Sequence, residues 1–397
     1  MNKKMPFPPK TFIPYNDFYI SCILAGGKEY HFAIAENFIR CYAEEEVTSD
    51  WIDYFESQKY GYYGIFKGFE LTSDVLRVLS TEISESIIGY LNTGYAIIYN
   101  VDTFYVKNYA TFNHYHSIHS LMIYDYDDQG NFICRDYFDF MNYSEQLVSM
   151  YEINKSYREV YRSSSNYNTF LMMGIKIDDD ISCNSINNLK PFYNQRKPDI
   201  KYLEKLGDKI HRDILNNSVC NIQLPYNKNN IQINMEKILF LLREFINGDN
   251  YVEHDVRYVL NSESKYKTGI NVFDSVINKI IYVFSERPDL LNMRLIKFIE
   301  HHIFMMKERI RIMRNEYGIL LSDELFHHSL DLVKKSEQFT FMIIKLSIKR
   351  NEAEMMRTVA FLNKLKGEYI ELIKRLIIEL EKEFYNSSVS VKYDNSI

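Results

Sequence analysis

No stretch of this chain approaches the roughly 18 uninterrupted apolar residues that a membrane span needs. The opening MNKKMPFPPKTFIPYN also lacks the apolar core of a secretory signal, so a cytoplasmic protein is expected. Cysteine is sparse and scattered: Cys22, Cys41, Cys134, Cys183 and Cys220 are odd in number and show no CxxC spacing. That pattern argues against a disulfide framework and against a zinc knuckle. There is no GxxxxGK[ST] or GxGxxG segment to cradle phosphates, so nothing points to a nucleotide cofactor. Basic charge is not in excess either. Lys and Arg total 47 against 53 Asp and Glu, a net charge of -6, so neither nucleic acid nor an anionic membrane surface is favoured as a partner.

What the chain does have is length and apolar content. Its 397 residues, 46% of them apolar, suffice for two moderate domains with their own cores. Residues 1–180 mix Gly-punctuated aromatic segments with β-like runs such as GYAIIYNV (94–101) and SLMIYDYD (120–127), and read as α+β. Residues 181–235 turn polar and Asn-rich, with Pro191, Pro198 and Pro225 as breakers, and read as a linker region. Beyond it, 236–397 shows helical periodicity: Met355, Val359, Leu362, Tyr369, Ile373, Leu376 and Leu380 recur at three- to four-residue steps. An all-α bundle of five or six helices is expected there.

Three of the ten histidines fall within six positions in NHYHSIHSLMIYDYDDQGNFICRDY, residues 113–137. SLMIYDY and FICRDYF flank DDQG, a polar tetrad ending in Gly that suits a hairpin loop. With Asp127–Gly130 as the loop, Tyr126 stands opposite Asn131 and Asp136 faces Leu121. His119 shares a face with Leu121, so His119 and Asp136 become diagonal neighbours, roughly 7 to 8 Å apart at the backbone. An odd-length loop or a bulge would break this parity. A carboxylate behind an imidazole fixes its tautomer and stabilises the imidazolium, as general-base catalysis requires. His114, His116 and His119 also spell HxHxxH, a metal-cluster reading weakened by Ile118 standing where metallo-hydrolases of the HxH type place an Asp. The plain alternative is a solvated loop before a strand-edge histidine.

A histidine base pairs naturally with a cysteine nucleophile. Cys22 fits best, following an extended, Pro-punctuated start and preceding KEYHFAIAENFIRCYAEEE, which has helical spacing. Cys41 falls inside that helical pattern and reads as core. Tyr60, Tyr62, Tyr63 and Phe66 in QKYGYYGIF are candidates for an acyl pocket or for core packing.

An early Cys, a central His opening a strand and an Asp some seventeen residues later resemble the papain-like fold in its bacteriocin-leader-peptidase branch. GYAIIYNVDTFYV, HSIHSLMIYDYDDQGNFICRDY and an EH pair inside a late helix, Glu300 and His301, resemble the butirosin-biosynthesis type of acyltransferase and amide synthetases of the closthioamide type. The resemblance implies a papain-like N-terminal domain with an antiparallel sheet, followed by the helical domain. It implies ATP-independent acyl transfer: a thioester on a phosphopantetheinyl acyl or peptidyl carrier protein acylates Cys22, and a small amine or diamine resolves the acyl-enzyme to an amide. In that scheme Cys22, His119 and Asp136 are the triad. Asn16 occupies the oxyanion position that a Gln commonly fills, Glu300 and His301 contact substrate or carrier, and no cofactor or metal takes part. Two features depart from the family pattern: Gly26 and Gly27 follow the cysteine where a well-formed helix belongs, and Asp125 replaces a Gly.

Three rivals stand beside this reading. A cysteine peptidase or thioesterase would use the same triad with water as acceptor. A non-catalytic binding or scaffold protein would keep the shape without the chemistry. A metal-dependent hydrolase would use the histidine cluster.

Overall fold

The computed structural model describes residues 20–24, 27–49, 52–54, 66–72, 82–138, 144–161, 170–177, 233–248, 266–286 and 293–394. The strands are β1 (Cys41–Glu44), β2 (Ile52–Tyr54), β3 (Phe66–Thr72), β4 (Ala96–Asp102), β5 (Ile118–Tyr126), β6 (Asn131–Asp136), β7 (Ser144–Ser149), β8 (Phe170–Ile177) and β9 (Tyr266–Thr268). The helices are α1 (20–24), α2 (Phe32–Glu36), α3 (Ile83–Asn92), α4 (Met150–Ser156), α5 (Met235–Asn247), α6 (Val272–Ser285), α7 (Met293–Asn315), α8 (Asp323–Lys349) and α9 (Glu352–Asp394). The fold is α+β with antiparallel sheets and a C-terminal helical region.

Among the described residues six strands form one sheet in the order β3-β8-β4-β5-β6-β7. β4, AIIYNVD, is buried along its whole length, as a central strand covered on both faces should be. One face carries Ile97, Tyr99, Val101, Leu121, Ile123, Phe132 and Cys134 against Ile83 and Ile87 of α3 and Ile153 of α4. Ser149 and Glu152 form a capping box that starts α4 on this face. The opposite face carries Ala96, Ile98, Met122, Met173 and Ile175 against Cys22 of α1.

A second core joins Ile20 and Ile23 of α1, all of α2, and β1 and β2 to the five helices α5–α9. β9 pairs with β1, Tyr42 opposite Thr268, so a strand from the C-terminal half completes a small sheet begun at residue 41. The packing therefore divides differently from the chain order: residues 27–49 and 52–54, expected with the large sheet, belong to the helical core. Gly269 makes the junction possible. It has φ +54, and a Cβ there would lie 2.3 Å from the Phe245 carbonyl oxygen.

The helix expected over 28–46 stops after α2. Asn37 is extended, its side chain donates to the Ala33 carbonyl, and Phe38 takes φ 57, so Cys41 begins a strand instead. Of the polar linker region 181–235, all but the last three residues lie outside the described residues.

Candidate active site

The site is built on β4, β5 and β6. The β5–β6 loop has three residues, Asp128, Gln129 and Gly130, rather than the expected four. The Asp127 N–H donates to the Asn131 carbonyl, and Gly130 takes φ 81. The Asp127 carboxylate accepts from the N–H groups of Gln129 and Asn131, which fixes the turn. Tyr126 therefore stands opposite Phe132, one residue out of the expected register. A bulge then intervenes: Ile123 pairs with Cys134 and Asp125 with Ile133, leaving Tyr124 as an extra residue. Odd loop and bulge each reverse the face parity, and together they restore it.

As a result His119 and Asp136 meet, Nδ1 to Oδ2 at 2.7 Å. The Asp136 side chain is fully buried and that of His119 is 38% exposed, so the imidazole stands between a sequestered carboxylate and solvent. Burial by itself lowers the His119 pKa and is the largest single influence. The Asp136 charge, its hydrogen bond and a backbone hydrogen bond at Ser120 together outweigh it, so the pKa ends above the usual histidine value. The Tyr109 hydroxyl donates to the same Asp136 oxygen.

A second histidine is held in the same way. His116 Nδ1 lies 2.7 Å from Asp102 Oδ2, and its ring stacks on Phe104 with centroids 4.2 Å apart. Asp102 is buried at the end of β4 and also accepts from the N–H groups of Phe104 and Ser117, closing the base of the β4–β5 loop. Sequence reasoning missed this pair, although an Asp between an apolar run and TFY is a cap signal. His114 is exposed. Among the described residues no group of three or more His, Cys, Asp or Glu is arranged to hold a metal ion.

Cys22 is not brought to His119. It packs on Ala96, Ile98 and Met122, while His119, opposite Val101, lies on the face of Leu121 and Ile123. The sheet separates the thiol from the imidazole, which corrects the expected convergence of all three triad members. Parity is the cause: Met122 and Arg135 pair on the α1 face, and the bulge that brings Asp136 to His119 puts both on the other. Burial pushes the Cys22 thiol up to about 12, with the Arg135 charge pulling the other way. Cys41 and Cys134 are buried too, and burial raises both thiols well above the usual value. Asn16, Tyr60, Tyr62, Tyr63, Cys183 and Cys220 lie outside the described residues.

Glu300 and His301 are not at a surface. Glu300 accepts from Lys297 and Thr340 inside the helical core, and His301 meets the Tyr54 hydroxyl at 3.2 Å. Both are buried, which corrects the expectation that they contact substrate or carrier: α7 is surrounded by the other helices and the N-terminal segment.

No family model matches the chain, and no curated protein matches it.

Proposed function

We propose that the protein transfers acyl groups by general-base catalysis at His119, with Asp136 orienting and charging the imidazole. The observation that carries this is the 2.7 Å contact from a half-exposed ring to a fully buried carboxylate. Nδ1 is committed to Asp136, which leaves Nε2 as the atom to take a proton from the attacking group. The thioester donor and amine acceptor come from the resemblance of the GYAIIYNVDTFYV and HSIHSLMIYDYDD segments to acyltransferases with papain-like architecture.

The position of Cys22 favours direct transfer over a cysteinyl acyl-enzyme. The amine nitrogen attacks the thioester carbonyl and loses a proton to His119. The C–S bond then breaks, and the leaving thiolate takes up a proton from the imidazolium. One amide and one thiol result, without ATP, because the thioester is already activated. A carrier-protein pantetheine thiol is the donor that the resemblance implies.

The test is to incubate the protein with an acyl thioester and an amine, weigh it intact and quantify products. Amide without a protein adduct, retained in Cys22→Ala and reduced on the order of 10²- to 10⁴-fold in His119→Ala, is expected. An adduct that disappears in Cys22→Ala would replace direct transfer by the cysteinyl route. Free acid at every amine concentration would make the protein a hydrolase. Neither product from a range of thioesters would end the acyl-transfer reading.

A further inference from the structure

The carboxylate that orients His119 is itself held in an unusual way. Asp136 is fully buried, and among the described residues both of its side-chain hydrogen bonds fall on one oxygen: Oδ2 receives the His119 ring and the Tyr109 hydroxyl. Among the described residues Oδ1 has no hydrogen-bond partner. An Asp side chain turns about its last torsion with little intrinsic preference, so partners normally fix the carboxylate plane through both oxygens. Here that plane is set by two contacts at one atom, and one of them is the ring being oriented. Among the described residues Tyr109 is the only anchor that is not itself the base.

The chain takes trouble to put Tyr109 there. It lies in the β4–β5 loop, whose base is closed by Asp102 and by Thr103, which bonds the Ser117 carbonyl through both its N–H and its hydroxyl. Thr111 donates to the Thr103 hydroxyl across the loop. The Asn113 N–H donates to the Phe104 carbonyl, with Asn113 in the left-handed region at φ 56. The Ala110 N–H donates to the Phe138 carbonyl, which ties residue 110 to the strand end just past Asp136. The Tyr109 ring packs on Phe138, centroids 4.9 Å apart, and stands edge-on to the His119 ring at 6.2 Å. A tyrosine 5% exposed is thus held from three sides with its hydroxyl on the carboxylate.

We infer that Tyr109 is a positioning residue of the site: its hydroxyl fixes the plane of the Asp136 carboxylate, so that Asp136 can hold the His119 ring with Nε2 turned to solvent. This rests on the general-base reading only for its effect on turnover; the positioning itself is readable without activity.

The test is Tyr109→Phe, which keeps the ring packed on Phe138 and removes only the oxygen, with Tyr126→Phe as control. Tyr126, on β5 of the same sheet, loses a hydroxyl bonded to Asn92 of α3, away from Asp136. In proton NMR the wild type should show a downfield imidazole N–H resonance from the His119–Asp136 contact. Tyr109→Phe should lose or strongly broaden it, and the His119 titration midpoint should move down toward the ordinary value of about 6.5. The control should change neither. In an acyl-transfer assay Tyr109→Phe should lower kcat on the order of tenfold with KM unchanged, the scale of one hydrogen bond to a charged group. An unchanged resonance and midpoint in Tyr109→Phe would overturn the inference. Altered NMR without activity on any thioester would keep it and reject the acyl-transfer reading instead.

Discussion

His119 and Asp136 are in contact across β5 and β6 because β5 carries one residue too many, Tyr124, which offsets the residue lost from the turn. The buried carboxylate should then govern how the ring titrates. As a base, His119 works in its neutral form, so turnover should rise with pH through an inflection above about 6.5, the direction in which the pKa is shifted. Asp136→Asn should move that inflection down and lower kcat by on the order of 10²-fold or more. Because the folded-state pKa is raised, the pair also adds stability that is fully present below the unfolded-state value and fades as pH rises through the folded one. A pH–rate profile of wild type and Asp136→Asn checks both shifts; identical inflections would remove Asp136 from the site.

Cys22 should be chemically silent in the folded protein. The residue is 4% exposed and burial pushes its thiol pKa up to about 12, so almost no thiolate exists at pH 8 to react with iodoacetamide. In a variant lacking Cys183 and Cys220, mass spectrometry after alkylation should find no label on Cys22, Cys41 or Cys134 until denaturant is added. Cys22→Ala should cost about 1 kcal/mol through lost packing on Ile98 and Met122. Rapid, selective labelling of Cys22 at neutral pH would return it to the list of nucleophiles.

The dyad was legible in the sequence through strand parity, but for a reason that was only half right. A four-residue loop and a regular ladder predict the same facing of His119 and Asp136 as a three-residue loop plus a bulge. Composition cannot tell them apart, since DDQG suits either turn. The helical half was legible because its apolar stripes are long. The placement of 27–49 was not: KEYHFAIAENFIRCYAEEE has helical spacing throughout, and what ends the helix is the left-handed backbone at Phe38. The carbonyls freed at that point are taken by Arg309, some 270 residues on, a tertiary contact that local spacing does not record. The face on which Cys22 lands is likewise set by packing of α1 between two cores.

Acid should loosen the helical core ahead of the site. His302 donates from Nε2 to the Ile39 carbonyl and takes the Tyr369 hydroxyl at Nδ1, and its ring stacks on Phe245 and Tyr54. It is neutral there, and burial, with Arg309 nearby, holds its pKa down at about 3; burial and the neighbouring His302 do the same to His301. A histidine whose folded pKa is depressed contributes stability above the unfolded value that is lost as pH falls toward the folded one. Each ring should therefore remove up to about 1.4 kcal/mol of stability per pH unit below about 6.5. Urea unfolding between pH 7 and pH 5 measures the slope, and His301→Phe should roughly halve it. A flat profile across that range would show that neither ring is buried neutral.

Arg309 should be the most costly single side chain to remove from the helical half. It is fully buried, and its guanidinium donates to the carbonyls of Ala35, Asn37 and Phe38, where α2 ends and its last carbonyls need partners. Methionine fills a similar volume but donates nothing, so Arg309→Met leaves buried carbonyls unpaired and should cost about 3 to 5 kcal/mol. Arg309→Lys should recover only part of this, because one ammonium cannot span carbonyls that the planar fork reaches together. Hydrogen exchange should locate the damage: amides of 32–44 should exchange faster in both variants, and those of β5 and β6 should not. That pattern follows from the packing, since residues 27–49 and 52–54 are held by α7 while His119 and Asp136 rest on the separate core beneath α3 and α4. Loss of protection in β5 and β6 at the same denaturant concentration would mean that the two cores unfold as one.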